Sequence, residues 1–405
     1  MPQALLSVLA PSLDMAQVTD FSTGFVLSAM ALPLVALAGV VGAYLNAKGV
    51  FGVPTIGVIA YNIVLCAYLA LVATSHAGVL GLALAILVAV TLRLAMHLLA
   101  APEFVRPRAE PGPVPTNGWA LSGPALARRF AIGVATSGLV FAVPILFRAV
   151  HAAKGDGALT LFNFAQKMFE LPSGILIAPV VLVMLPKLSG LARAGESDTS
   201  PDFDRTFAVA LVASVSIATS AALVGILFAD PLAALLFLHG AMVPADVGQI
   251  ATLAVTFLLG LPFLAAQQVA AAALNATGRP QSVAISAAFA LGFALVASFA
   301  LGAAWPEGGL APALGVVLFQ MALAALNLRA LPCLRREAAT VIQSVLWMIL
   351  RSALAITPFV GIVAVWGEGM GRWSGTALAT AAFAVLLVAN LSDIRPLRRL
   401  RAGMV

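Results

Sequence analysis

Residues 161–189 read Leu161-Phe-Asn-Phe-Ala-Gln-Lys-Met-Phe-Glu-Leu-Pro-Ser-Gly-Ile-Leu-Ile-Ala-Pro-Val-Val-Leu-Val-Met-Leu-Pro-Lys-Leu-Ser189. The stretch is apolar and long enough to cross a bilayer core, which takes about 20 helical residues. Asn163, Gln166, Lys167 and Glu170 recur at helical spacing and form one polar stripe on it. A charge at bilayer depth costs about 2.5–3.5 kcal/mol even on the lenient insertion scale. Such a pair is tolerated where its face lines a cavity, a pathway or a partner helix. Pro172, Pro179 and Pro186 each remove a backbone donor. They predict a helix bent or broken near the charged pair, as helices at transporter binding sites often are.

The rest of the chain has the same character. It is 62% hydrophobic and only 9% charged, where a soluble domain carries about 25% charged residues. Eleven apolar stretches are long enough to span, near 20–45, 53–74, 77–101, 125–148, 157–189, 206–229, 247–275, 281–303, 309–329, 341–366 and 374–391. The fold class is therefore all-α and polytopic. The net charge of +6 is no nucleic-acid signal, because the basic residues are spread over short loops. No metal cluster is readable from the scattered His76, His97, His151 and His239, and no cofactor is implied. Cys66 is expected in a helix and Cys333 in a loop on the opposite side, so no disulfide between them is expected. The first 20 residues lack a basic n-region and precede a full span, so no cleavable signal peptide is expected.

Loop charge orients the chain. With residue 1 outside, the inside loops hold Lys48, Arg106, Arg108, Arg128, Arg129, Lys187, Arg193, Arg205, Arg279, Arg329, Arg335, Arg336, Arg395, Arg398, Arg399 and Arg401. The outside loops hold only Arg148, Lys154 and Arg372. The positive-inside rule then puts the C-terminus in the cytoplasm and the N-terminus in the periplasm. Trp305, Trp366 and Trp373 fall at the expected outer interface. The proline-rich stretch 102–124 reads as a cytoplasmic linker. Loop 190–205 carries Glu196, Asp198, Asp202 and Asp204. Its Asp202-Phe-Asp204 matches a metal-binding DxD in letters only, and the stretch reads as a solvated loop with a cap for the next helix.

Three stretches resemble the MurJ/MviN lipid II flippase family, within the multidrug/oligosaccharidyl-lipid/polysaccharide exporter superfamily. The first is Ala165-Gln-Lys167-Met-Phe-Glu170 with Leu171-Pro-Ser-Gly174 and Leu185-Pro-Lys-Leu-Ser189. The second is Leu45-Asn-Ala-Lys-Gly-Val-Phe-Gly-Val-Pro54, ending at Asn62. The third is Phe237-Leu-His-Gly240 with Leu274-Asn-Ala-Thr-Gly-Arg-Pro280. The resemblance covers the family's helices four to fourteen. It implies a two-lobed MurJ/MATE-like bundle with an incomplete N-lobe over 1–101, the linker, a six-helix C-lobe over 125–330, and two trailing helices with a basic tail over 331–405. The family's first three helices, which carry most of its essential arginines, have no counterpart. Two further departures matter. The family's usual arginine in segment five is Lys167, which cannot make a planar bidentate contact to phosphate. Its acidic neighbour is Gln166.

By this resemblance the chain is a transporter and not an enzyme. It would move a polyprenyl-diphosphate-linked sugar, lipid II above all, across the bacterial inner membrane for peptidoglycan synthesis, by rocking of its lobes around a cationic cavity. Lys167 would attract the diphosphate. Glu170 would hold Lys167 or take up a proton, with Gln166 and Asn163 lining the same face. Arg93 and Arg351 are candidate lipid-phosphate contacts; snorkelling toward the headgroups explains Arg93 equally well, and a tilted helix that brings Arg351 to the interface explains Arg351 better. Other readings stay open: a truncated or split paralogue whose first helices come from a separate polypeptide, or an exporter of another lipid-linked sugar. The remaining partners are membrane lipids, and no nucleic acid is implied.

Overall fold

The structure, a computed structural model, describes residues 15–72, 79–104, 123–152, 157–194, 200–304 and 309–395. The stretch 105–122 with Arg106 and Arg108 lies outside the described residues. So do Lys154, Glu196, Asp198, Trp305 and the tail holding Arg398, Arg399 and Arg401. Every regular element among the described residues is helical. In hydrocarbon the backbone must satisfy its own hydrogen bonds, and a helix does this within one segment. Among the described residues, ten single helices are long and apolar enough to span, and one bent pair makes eleven. The chain is a multi-pass membrane protein, and it divides into two compact units, Met1–Ala120 and Leu121–Val405.

In the first unit, α1 (Met15–Ala47) and α2 (Gly52–Val72) both pack on α3 (Val79–Ala100). Helices in lipid associate through close packing of small residues, since lipid tails are as apolar as leucine. Here the close approach centres on His97, which is fully buried, with Nδ1 2.9 Å from the Ala38 carbonyl oxygen. Gly57 lies against the same ring. A Cβ at this position would stand 2.8 Å from His97 Nε2 and 3.2 Å from Arg93 Cγ.

A polar cluster closes the end of this unit. The Tyr44 hydroxyl donates to Glu103 Oε1 at 2.8 Å, and the Lys48 ammonium pairs with the same oxygen. The hydrogen bond from Lys48, with help from the backbone and Tyr44, lowers the Glu103 carboxyl to about 2. The hydrogen bonds to Glu103 and Tyr44 raise Lys48 above its ordinary value. The depressed carboxyl favours the folded arrangement above the ordinary carboxylate range, and this contribution disappears as pH falls toward about 2. The 13C carboxyl resonance of Glu103 in micelles is expected to titrate there, and Lys48→Met should return it toward 4.5. An unchanged midpoint in the variant would refute the pairing.

The second unit holds α4 (Gly123–Ala152), α5 (Ala158–Pro172), α6 (Ala178–Ala194), α7 (Pro201–Leu227), α8 (Ala229–Phe237), α9 (Pro244–Leu258), α10 (Leu261–Ala276), α11 (Pro280–Ala304), α12 (Ala311–Arg329), α13 (Pro332–Trp366) and α14 (Arg372–Ala389). Its core is aromatic at one level, around Phe147, Phe162, Phe257 and Phe319, and alanine-rich along α10. The α4–α12 crossing is the tightest relevant to the site. A Cβ on Gly315 would come 2.2 Å from Phe147 Cε1, and Phe147 is fully buried. Trp366 and Trp373 are exposed.

Several sequence expectations are corrected. The expected bend or break in segment five is a π-helical turn, Ser173–Ile177, inside one continuous span. A π turn absorbs one extra residue, so the chain passes Pro172 without breaking. A bend of 41° falls in segment seven between α9 and α10. There Gly260 N donates to Phe257 O at 2.9 Å, and Pro262 has no N–H to continue the ladder. Asp204 is not in a solvated loop. Pro201 begins α7 early, and buried Asp204 takes Arg336 Nε at 2.6 Å and Nη2 at 3.0 Å. Proline at the first helical position and acidic residues in the first turn favour that early start. Cys333 lies in the first turn of α13, buried, and both cysteines are free thiols. The short helix α8 has no counterpart among the expected spans, because nine residues are too few to cross a bilayer.

Candidate functional site

Helix α5 is positioned by its apolar face. Phe162, Ala165 and Phe169 recur at three- and four-residue spacing and are buried, and the Phe162 ring meets Phe257 of α9 edge-on at 5.0 Å. Burying that face fixes the rotation of the helix, and the stripe of Asn163, Gln166, Lys167 and Glu170 follows from it. Before α5, His151 of α4 stacks on Phe162 at 4.8 Å. That contact ties the end of α4 to the start of the stripe.

The structure brings three of the four stripe residues together. Glu170 is the hub. Its Oε1 accepts from Gln166 Nε2 at 2.7 Å, and its Oε2 pairs with the Lys167 ammonium. Gln166 is only 4% exposed. A buried side-chain amide needs partners for both ends, and Gln166 has them, because its Oε1 accepts from Arg148 Nε at 3.1 Å. Asn163, one turn earlier, joins none of them, and its buried Oδ1 accepts no hydrogen bond.

Arg148 is the residue that sequence reasoning missed. The charge count assigns it to an outside loop, yet it sits within α4, four residues before the helix ends. Its Nη2 is 3.8 Å from Glu170 Oε1. The signal was the run Ile145-Leu-Phe-Arg-Ala-Val150, where apolar residues continue on both sides of the arginine. The result is two cations around one carboxylate. The side chains of Lys167, Glu170 and Arg148 are 56%, 37% and 30% exposed. An array of this kind attracts an anion and can still exchange partners.

The other two candidates stand elsewhere. Arg93 belongs to the first unit, where its Nε is buried without a hydrogen-bond partner. Arg351 on α13 directs Nη2 at both oxygens of Asp393, 2.8 and 2.7 Å away, and Nη1 at the Ser392 hydroxyl. Ser216 of α7 donates to the same carboxylate at 2.9 Å. Beside it, Asn390 Nδ2 donates to Ser352 at 3.0 Å. The geometry makes Arg351 a clasp joining α13, the segment just after α14 and α7.

Comparison with known proteins agrees with this architecture. No curated protein matches the chain. Four chains among solved structures match. One is a lipid II flippase MurJ in an inward closed conformation, with TM-score 0.74 and 14% identity, covering 98% of this chain and 79% of that one. At that identity the likeness establishes the fold. The family model described as Lipid II flippase MurJ matches residues 1–383. With a match over nearly the whole length and a shared fold, the chain belongs to the MurJ lipid II flippase family.

Proposed function

We propose that the chain carries lipid II across the bacterial inner membrane, from the inner to the outer leaflet, as a transporter with no catalytic step. The observation that carries this reading is the Arg148–Gln166–Glu170–Lys167 cluster, two cations and one carboxylate set into apolar spans of a flippase-family member. A diphosphate is the anionic part of such a substrate, and ions placed inside spans mark substrate pathways. Lys167 attracts the headgroup, Glu170 holds Lys167 between substrates, and Gln166 and Asn163 line the same face. The N-terminus is periplasmic and the C-terminus cytoplasmic, a reading supported by the arginines of the short loops.

The test is complementation. Cells depleted of their resident lipid II flippase are expected to grow without lysis when this chain is expressed. A phosphatase reporter fused after residue 405 should stay inactive in the same cells, as it does in the cytoplasm. Lysis despite stable membrane expression would overturn the substrate assignment, and an active reporter would overturn the orientation.

A further inference from the structure

We propose that Arg148 and Lys167 form a two-armed fork for one diphosphate ester, in which Glu170 is a resident ligand that the incoming anion displaces. The inference rests on the lipid II reading and adds to it a residue and an order of events.

Lysine at 167 offers a compact point charge, whereas a diphosphate presents several oxygens that a planar guanidinium meets two at a time. The neighbouring helix supplies that guanidinium. Arg148 commits Nε to Gln166 Oε1 at 3.1 Å. Its Nη2 stands 3.8 Å from Glu170 Oε1, beyond hydrogen-bond reach. The terminal edge of the fork is therefore not spent on Glu170. Buried Gln166 fixes the direction of the arm, because its amide accepts from Arg148 at one end and donates to Glu170 at the other. Glu170 occupies the place between the two arms that an anion would take. One of its oxygens is held by Lys167, and the other is held by Gln166 and faces Arg148. Glu170 thus screens both cations in the empty site and repels a phosphate that approaches them. Binding requires the carboxylate to swing away, and the 37% exposure of its side chain leaves room for that.

The reading makes an uncommon demand, that removing a charged site residue tightens binding. The full chain in nanodiscs is titrated with inorganic pyrophosphate and, separately, with a short prenyl diphosphate. Glu170→Gln, which keeps the shape and one of the two acceptor oxygens but removes the charge, is expected to bind both about tenfold more tightly. Arg148→Lys, which keeps the charge and loses the planar fork, is expected to bind both about tenfold more weakly. The double variant should fall between the two. Melting temperatures near that of the parent protein would show that each variant is folded. Unchanged or weaker binding by Glu170→Gln would overturn the displacement step, and unchanged binding by Arg148→Lys would overturn the fork. A response to pyrophosphate with none to the prenyl diphosphate would overturn the lipid assignment of the fork. If the binding pattern holds while complementation fails, the fork stands and the choice of lipid II falls. If complementation holds and the pattern is absent, the reverse follows.

Discussion

Lys167→Ala is expected to abolish complementation of a flippase-depleted cell, while Lys167→Arg retains it. The alanine variant removes one of two cations from the cluster and leaves Glu170 facing Arg148 alone. The local charge falls from net positive to neutral, and a diphosphate loses both an attractive contact and the partner that restrained the competing carboxylate. Truncating one member of a buried, hydrogen-bonded charge pair costs about 2–5 kcal/mol. Lys167 is more than half exposed, so the lower end applies, about thirtyfold in affinity. Arginine restores the charge and adds the planar contact. The measurement is plating efficiency beside an immunoblot of membrane level. Full rescue by the alanine variant would sink the assignment of Lys167, and failure of the arginine variant would show that shape rather than charge governs the position.

Gly315→Leu is expected to lower the melting temperature sharply and to disable transport without touching a charged residue. The first side-chain atom alone would sit 2.2 Å from Phe147 Cε1 and 2.6 Å from Cζ. The Phe147 ring is fully buried and cannot turn aside. Overpacking in a filled interior costs about 1–3 kcal/mol and occasionally more, and this contact belongs at the upper end. The strain is relieved by moving α4 away from α12. Arg148 follows Phe147 in sequence, so that movement withdraws it from Gln166. The effect on function should therefore exceed what lost stability alone explains. Adding Phe147→Ala to Gly315→Leu should recover part of the melting temperature, since the introduced side chain then fills the vacated space. The readouts are thermal unfolding in detergent and complementation at equal expression. A parent-like melting temperature for Gly315→Leu would refute the close crossing.

Much of the architecture was legible because the bilayer imposes a simple rule. A segment either has about twenty apolar residues or it does not cross, and the pattern yields the eleven spans found among the described residues once α9 and α10 count as one. The stripe on α5 was legible for a similar reason, since polar residues at helical spacing stand out against an apolar field. What stayed hidden depends on partners. A basic residue near a span end is ambiguous between loop and helix until the next helix is in place, and Arg148 acquires its meaning only from Gln166, eighteen residues on. Asp204 reads as a loop acid until Arg336, far along the chain, turns out to face it. The prolines of segment five announce a disturbance of the backbone. Whether it becomes a bend or a wound-in extra residue depends on neighbouring packing, and here it is the π turn. The Gly260 break in segment seven carried the weaker signal of one glycine and one proline, and it bends the span by 41°.

The packing of His97 in the first unit bears on how this sequence can drift. The ring fills the space beside Gly57 so closely that a methyl group there would stand 2.8 Å from Nε2. Positions 57 and 97 are therefore not free to change independently. A lineage can gain a side chain at 57 only after, or together with, a smaller residue at 97, and the intermediate in the opposite order is overpacked. Descendants that keep the histidine keep the glycine, and the pair changes as a unit.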